Sequence, residues 1–344
     1  MKSYLSQNLL KPKSIIIFFG LTIPYSCNHD SVASKERNTE EKVIVANRNS
    51  GSISFVDVST NEITKTLSIP NSEPMYVVYV SQRDRIYVGD RLNKKVHVIN
   101  PSNYDIEKSI SVGEGVFHMW ADGQGKEIWV VNDIDYTISV LDLNSNTVSK
   151  TITIDKRPHD VFLTQDGSTA FVSVFTENMT SDKVYKYSTN TYLKTGEVSV
   201  GKEPHLFHLS NNSLYVPCQS GRVYAFNSNT LNPIFEKIYQ GAHGIFSSIN
   251  QNTIFVSNIT NNQLYSINSI TGESVGTPIS SSRNTPHNIV LNKEGNKMFI
   301  THSGATSNSI SIYNISSSGH ISPSASINVE NNPFGLTYYK REIK

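Results

Sequence analysis

The feature that most constrains the fold of this chain is an internal repeat of about 40 residues, which recurs along most of its length. Each repeat reads as a turn followed by four short strands. The third strand of each repeat alternates apolar with polar residues, as a half-buried strand does. These segments are SISFVDV, KVHVINP, TISVLDL, KVYKYST, RVYAFNS, QLYSINS and SISIYNI. The sequence therefore predicts seven four-stranded units.

The two ends of the chain predict that these units close into a ring. The first unit has three strands (KVIVAN, SISFVDV and EITKTLSI) but lacks an inner strand, whereas residues 334–339 form a lone strand at the other end. Three strands plus one complete a seventh blade, and this closure leaves no unprotected edge between first and last blades. We predict an all-β fold, a single seven-bladed β-propeller closed by pairing three N-terminal strands with one C-terminal strand.

The second-strand segments carry a resemblance to a known family. IYVGD, IWVVN and IFVSN resemble the YVTN motif, and the turns TQDGS and NKEGN resemble the acidic-glycine turn of the same repeat. From about residue 42 onward the chain is thus similar to YVTN-family seven-bladed propellers, a superfamily that includes lactonase-like propellers and the propeller of nitrous oxide reductase. The resemblance implies the fold and says almost nothing about function.

Charge and cysteine content exclude some classes of protein. The net charge is +1, and there is no stripe of Lys and Arg of the kind that neutralises phosphates, so we expect no nucleic-acid partner. Two cysteines, Cys27 and Cys218, cannot form a disulfide framework.

The N-terminus reads as an export signal. Three lysines precede a short apolar stretch, residues 14–23, and Pro24-Tyr-Ser-Cys27 follows it. This ending resembles the lipobox of bacterial lipoproteins, which implies cleavage before Cys27 and its lipidation, although a lipobox usually has Leu where Pro24 stands. Simple secretion with an unmodified Cys27 is the alternative. We predict a signal peptide (1–26), a polar flexible tether (27–42) and the propeller (43–344), a monomer in the periplasm or anchored to a membrane only through lipid.

Histidines recur where the innermost strand of each blade begins, beside one mouth of the channel. That position is assigned to Met75, His118, His159, His205, His243, His287 and Phe334. The second strands end at the same face, which adds Cys218 and His302. Imidazole, thiolate and thioether together suit copper or zinc. The candidate metal ligands are therefore His118, His159, His205, His243, His287, His302, Cys218 and Met75.

Three interpretations of this cluster stay open. The first is a metal site, which resembles the histidine-liganded copper cluster at the propeller hub of nitrous oxide reductase. The second is a site for a small ligand or an envelope protein without metal, and the third is a purely structural role. In each case repulsion between clustered imidazoles favours their neutral forms. A binding or scaffold module is the predicted function, with specificity expected in the loops 176–183 and 303–309.

A lactone hydrolase is the alternative function. The segments around Arg157-Pro-His159-Asp160 and Thr285-Pro-His287 resemble the inner repeats of lactonase-type propellers, which open sugar or muconate lactones. That resemblance implies Arg157, His159 and His287 as catalytic residues, with Asp160, Asp90 or Asp133 as the carboxylate. Outside this set, we expect His97 to be a hydrogen-bonded sheet-face residue, and Trp120 and Trp129 to pack between blades.

Overall fold

The computed structural model of the protein describes residues 38–343. The predicted signal peptide (1–26), the lipidation site Cys27 and the tether as far as residue 37 lie outside the described residues. Across 38–343, no helix has the length and apolar character needed to cross a membrane.

Seven antiparallel sheets of four strands each form the predicted all-β propeller. Blade 1 combines β28 with β1–β3, and blades 2 to 7 take the remaining strands in order, four at a time. The strands of blades 1 to 3 are β28 (Pro333–Glu342), β1 (Thr39–Asn47), β2 (Ser52–Asp57), β3 (Ile63–Ser68), β4 (Pro74–Val80), β5 (Arg85–Asp90), β6 (Lys95–Ile99), β7 (Ile106–Ser111), β8 (Val116–Ala121), β9 (Glu127–Asn132), β10 (Thr137–Asp142) and β11 (Thr147–Thr153).

Blades 4 to 7 continue the same pattern of an inner strand followed by three outward ones. Their strands are β12 (Arg157–Leu163), β13 (Thr169–Phe175), β14 (Asp182–Ser188), β15 (Lys194–Val200), β16 (His208–Ser210), β17 (Ser213–Cys218), β18 (Arg222–Asn227), β19 (Pro233–Ile238), β20 (Ala242–Ser247), β21 (Thr253–Asn258), β22 (Gln263–Asn268), β23 (Ile279–Ser280), β24 (Pro286–Leu291), β25 (Lys297–His302), β26 (Ser309–Ile315) and β27 (Ile321–Asn328). The two longest connections between second and third strands are residues 176–181 and 303–308, within the loops predicted to carry specificity.

The C-terminal strand closes the ring as predicted. β28 pairs antiparallel with β1 over eight residue pairs, from Thr39↔Glu342 to Asn47↔Pro333. The side chain of Tyr339 is buried in a cluster that blades 1 and 2 share. The two ends of the described chain therefore pair within blade 1, and this pairing closes the ring.

The first strand begins four residues earlier than predicted. Thr39–Lys42 belong to β1, so the boundary of the tether at residue 42 is wrong. This segment looked like a tether because it is polar, but its charges are paired. The ammonium of Lys42 lies 2.7 Å from Glu40 and donates a 2.7 Å hydrogen bond to the hydroxyl of Tyr104. The guanidinium of Arg341 lies 2.6 Å from the carboxylate of Glu40.

The apolar core is divided among the interfaces between neighbouring blades. Trp129 on β9 is fully buried and packs with Val161, Val172 and Tyr187 of blade 4. This confirms the interblade position predicted for Trp129. His97 is also confirmed as a sheet-face residue, since its ring nitrogens lie 2.8 Å from the Ser109 hydroxyl and 3.1 Å from Asp90, both within blade 2.

A bulge in each inner strand determines which side chains reach the axis. In blade 4, Pro158 pairs with Val174 and Val161 pairs with Val172, so the inner strand carries one residue more than its partner. The same offset recurs in the other six blades. A bulge re-aims side chains, and here two consecutive residues of each inner strand face the hub.

Hydroxyl groups on second strands hold three of these bulges. The Ser173 hydroxyl accepts a 2.9 Å hydrogen bond from the backbone N–H of Asp160. Ser257 and Thr301 stand at the equivalent register and accept the corresponding N–H of blades 6 and 7. These bonds satisfy backbone donors that the bulge removes from the sheet ladder.

Candidate functional site

A ring of seven side chains surrounds the axis at the upper face, where the inner strands begin. We call it the hub ring. Each of its residues directly follows the inner-strand residue that pairs with the last residue of the aligned second-strand segment. The members are Met75, Phe117, His159, His205, His243, His287 and Phe334. Neighbouring rings from Phe117 round to Phe334 have centroids 4.2 to 4.6 Å apart. The hub ring thus has an imidazole arc of four histidines and an apolar arc of Phe334, Met75 and Phe117.

His118 does not belong to this ring, so its predicted position is wrong by one residue. Val116 pairs with Asn132, which places Phe117 at the hub-ring register and His118 one step further along the strand. No proline precedes His118, unlike His159, His205 and His287. Sequence spacing alone therefore could not fix the register. His118 belongs to a second ring below the first, together with Tyr76, Asp160, Leu206, Gly244, Asn288 and Gly335.

The sulfur atoms and His302 are not grouped with the imidazole arc. His302 is bonded in blade 7 and in the connection that precedes it, with its Nε2 2.8 Å from the Ser311 hydroxyl and its Nδ1 2.9 Å from the carbonyl of Asn284. Cys218 is fully buried in an apolar cluster, and burial raises the pKa of its thiol far above the usual range. Met75 packs among Tyr76, Val116 and Phe334. The prediction that Cys218 and His302 share the mouth fails because the last residue of each aligned second-strand segment points into its own blade.

In blades 2, 4 and 5 the residue after the aligned second-strand segment reaches the mouth, and sequence analysis missed this. Phe175 stacks on His159 with centroids 4.4 Å apart, and the amide oxygen of Gln219 lies 3.2 Å from Nδ1 of His243. The guanidinium of Arg91 lies 5.9 Å from the ring of Phe117. The available signal was positional, since these residues directly follow the aligned second-strand segments.

Two residues of the imidazole arc, His159 and His205, bring their ring nitrogens close to the carboxyl group of Asp160, so three potential ligand atoms lie together. Nε2 of His159 lies 2.8 Å from Nδ1 of His205, and Oδ2 of Asp160 lies 3.9 Å from each of these nitrogens. Oδ2 also accepts a 3.1 Å hydrogen bond from the backbone N–H of Leu206. We call this group of three residues the hub site. It is the cluster of metal-ligating side chains that the described residues contain.

Several polar atoms of the hub site and of the neighbouring His243 are buried without a partner. They are Nδ1 of His159, Oδ1 of Asp160 and Nε2 of His243. An unsatisfied buried polar group is costly, and its presence in a folded protein calls for an explanation such as a bound ion or ligand.

Burial sets the charge of these groups. Desolvation, followed by repulsion from neighbouring imidazoles, holds the pKa of His159, His205 and His243 well below the usual histidine value. Desolvation also raises the pKa of Asp160 to about 8. The histidines are therefore neutral near pH 7, the form in which imidazole binds metals.

The residues that the lactonase resemblance implied are only partly brought together. Arg157 lies on the upper face, where its guanidinium is 2.7 Å from Asp133. Asp133 also pairs with Arg91 at 2.9 Å, and Asp90 pairs with His97 inside blade 2. Of the three candidate carboxylates, Asp160 alone lies beside the imidazole arc. His287 stands three blades away from His159 and hydrogen-bonds the carbonyl of Phe334 at 3.1 Å.

Comparison with solved structures confirms the propeller class. The chain is similar to Kuenenia stuttgartiensis hydrazine synthase (12% identity, 85% of this chain and 93% of that chain covered, TM-score 0.67). It is also similar to candidate 6-phosphogluconolactonases of Bacteroides fragilis (16% identity, 87% and 98% covered, TM-score 0.70) and Bacteroides uniformis (14% identity, 87% and 99% covered, TM-score 0.72). No protein-family model and no curated protein matches the sequence. At these identities the likeness defines the fold, a seven-bladed propeller with lactonase-like structural neighbours.

Proposed function

We propose that this protein is an exported binding module whose hub site holds a divalent transition metal through His159, His205 and Asp160. The observation that carries this proposal is the convergence at one buried point of three potential ligand atoms, Nε2 of His159, Nδ1 of His205 and Oδ2 of Asp160. His243 stands next to His205 on the arc, with ring centroids 4.2 Å apart, and offers an unpartnered Nε2 as a fourth donor.

The spacing of the three ligand atoms suits a tetrahedral ion. Zinc binds imidazole nitrogen and carboxylate oxygen at about 2.0–2.2 Å, so in tetrahedral geometry its ligand atoms lie roughly 3.4 Å apart. The three separations at the hub site, 2.8, 3.9 and 3.9 Å, bracket this value. Small rotations of the two imidazoles would exchange their mutual hydrogen bond for two bonds to the ion.

The donor set favours zinc over copper(I). Nitrogen and carboxylate oxygen are ligands that zinc and copper(II) accept, whereas copper(I) prefers thiolate and thioether. Cys218 and Met75 lie in apolar clusters away from the imidazole arc. Zinc is therefore the first ion to test, and copper(II) is the second.

A calorimetric titration of chelator-treated protein with zinc tests the proposal. The expected result is one ion per chain, with affinity falling more than about 100-fold in Asp160→Asn and His205→Gln, since the loss of outer-shell partners alone costs about 10- to 100-fold. His302→Gln is the matched control, because His302 is a buried histidine that bonds Ser311 and Asn284 and no residue of the hub site. This variant should bind zinc as the wild type does. No uptake of zinc or copper, or equal uptake by all variants, would rule out the hub site.

Hydrolysis of a lactone is the second candidate function. Two features support it, the candidate lactonases among the structural neighbours and the position of Asp160 beside His159. A panel of sugar and muconate lactones, assayed with and without zinc, tests it. Turnover that is abolished in His159→Ala would favour the hydrolase. Absence of turnover with every lactone would favour the binding module instead.

Export, lipidation and the monomeric state belong to the same proposal. The signal-like segment and Cys27 support a propeller held at a membrane by lipid. Labelling with a radioactive fatty acid in a bacterial host should mark the wild type and not Cys27→Ser. Unlabelled wild-type protein in the soluble fraction would show simple secretion instead.

A further inference from the structure

A cavity of about 340 Å³ occupies the channel below the hub ring. Its walls come from the second ring and from the next residues along the inner strands, and it extends to the turns at the lower face, at Gln82, Gly123 and Gln165. The four histidines of the imidazole arc do not line it. The cavity is therefore a separate compartment from the hub site.

The walls of this lower cavity are aromatic and held in place. Trp120 stacks against Phe162 with ring centroids 4.2 Å apart, so the indole has a fixed orientation. On the neighbouring blades, Phe246 lies 4.7 Å from the ring of His208, and the Ser247 hydroxyl fixes that ring through a 2.8 Å contact with its Nε2. Trp120 was predicted to pack between blades, and it does so while also lining the channel. Flat, preformed apolar walls are typical of small-molecule sites.

The lining groups are uncharged apart from one carboxylate that is already engaged. Burial lowers the pKa of His208 to about 4, so its ring is neutral near pH 7, and Nδ1 of His118 is engaged by the carbonyl of Val161. Asp122 accepts hydrogen bonds from the backbone N–H groups of its own turn, including that of Gln124 at 2.6 Å. A charged ligand would therefore find no opposite charge to offset its desolvation.

His118 gives the cavity a directed polar group. Its Nδ1 lies 3.0 Å from the carbonyl oxygen of Val161 and 3.4 Å from the backbone nitrogen of the same residue. The shorter contact is to an oxygen that can only accept, which assigns the proton to Nδ1. In the neutral ring Nε2 is then left as a hydrogen-bond acceptor. A ligand that presents a hydroxyl or N–H group would satisfy it.

We propose that the lower cavity binds a neutral, flat and largely apolar small molecule that carries a hydroxyl or N–H group. A dry cavity of about 150 Å³ is enough to hold benzene, so about 340 Å³ accommodates a molecule of two or three rings. This site is independent of the metal proposed for the hub site, and either can fail without the other.

Titration of the chelator-treated protein with N-phenyl-1-naphthylamine tests this proposal. The probe is neutral, has three aromatic rings and carries one N–H group. We expect saturable binding of one probe per chain, seen as a rise in probe emission together with a fall in tryptophan emission. The sulfonated analogue 8-anilino-1-naphthalenesulfonate has the same rings and a negative charge, and we expect it to bind at least about tenfold more weakly because its charge would be buried unpaired.

Cavity variants locate the probe. Thr337→Phe adds a ring to a half-buried cavity wall and should lower the affinity at least tenfold, and Phe246→Ala should lower it by removing a flat wall. Phe235→Ala is the matched control, since this buried phenylalanine lies on the outer strand β19 and does not line the cavity. Absence of saturable binding, equal binding of the sulfonate, or unchanged affinity in both cavity variants would overturn the proposal.

Discussion

Lowering the pH from 7.5 to 5.5 should strongly destabilise the chelator-treated protein, because its histidines are buried in the neutral form. Burial lowers the pKa of His208, His287 and His302 to about 4 and that of His118 to about 3. In the unfolded chain a histidine has a pKa of about 6.5. Their contribution to stability is therefore fully present above about pH 6.5 and is lost as the pH falls towards the folded-state values.

The magnitude follows from proton linkage. Together these four histidines remove about 5 kcal/mol from the free energy of unfolding between pH 7.5 and 5.5. Asp160 acts in the opposite direction, since its pKa is raised to about 8 and the folded state keeps its proton over this range, whereas the unfolded chain, with a pKa of about 3.9, has lost it. This difference returns about 2–3 kcal/mol. The net loss is at least about 3 kcal/mol, because the other imidazoles of the hub ring also have lowered pKa values and add to the loss.

Guanidinium denaturation at the two pH values, followed by tryptophan emission, measures this difference. His302→Gln should reduce the pH-dependent loss by about 1 kcal/mol. Equal free energies of unfolding at the two pH values, or greater stability at pH 5.5, would refute the reasoning.

Three further predictions follow from packing and burial. Tyr339→Ala on the closing strand should lower the free energy of unfolding by about 3–5 kcal/mol, as other buried aromatic deletions do, and denaturant titration measures it. Gly244→Ala should destabilise by about 1–3 kcal/mol, because a Cβ there would meet a backbone carbonyl of blade 7 at 1.9 Å, whereas Gly196→Ala, whose Cβ would meet a flexible side chain at 3.0 Å, should cost less in the same titration. In the Cys27→Ser background, the buried thiol of Cys218 should react with Ellman's reagent only after unfolding, and rapid reaction of the folded protein would contradict its burial.

The fold could be predicted because the same strand pattern recurs in seven repeats. Seven aligned third-strand segments fix the blade count, and the unmatched strands at the two ends fix the closure through β28 and β1. Polarity gave a wrong boundary at Thr39–Lys42, where Glu40 pairs with Arg341 and Glu41 pairs with Lys340 on the neighbouring strand. Such pairing between β1 and β28 depends on residues that are almost 300 positions apart, and local composition does not report it.

The site was harder to predict because a shift of one residue reverses where a side chain points. The bulge in each inner strand brings Asp160 as well as His159 to the hub, and the pairing of Val116 with Asn132 puts Phe117 where His118 was expected. By the same argument Phe175, and not Val174, reaches the mouth in blade 4. The recurrence of histidine in the sequence located the site at the mouth of the channel. Only the strand register shows which side chains and which of their atoms face the hub.

The most direct test of the hub site is anomalous diffraction from crystals of the protein grown with zinc. The hub site requires one zinc peak per chain, with Nε2 of His159, Nδ1 of His205 and a carboxylate oxygen of Asp160 each about 2.0–2.2 Å from it. An empty hub in crystals that carry zinc elsewhere, or a peak bound by other residues, would contradict it.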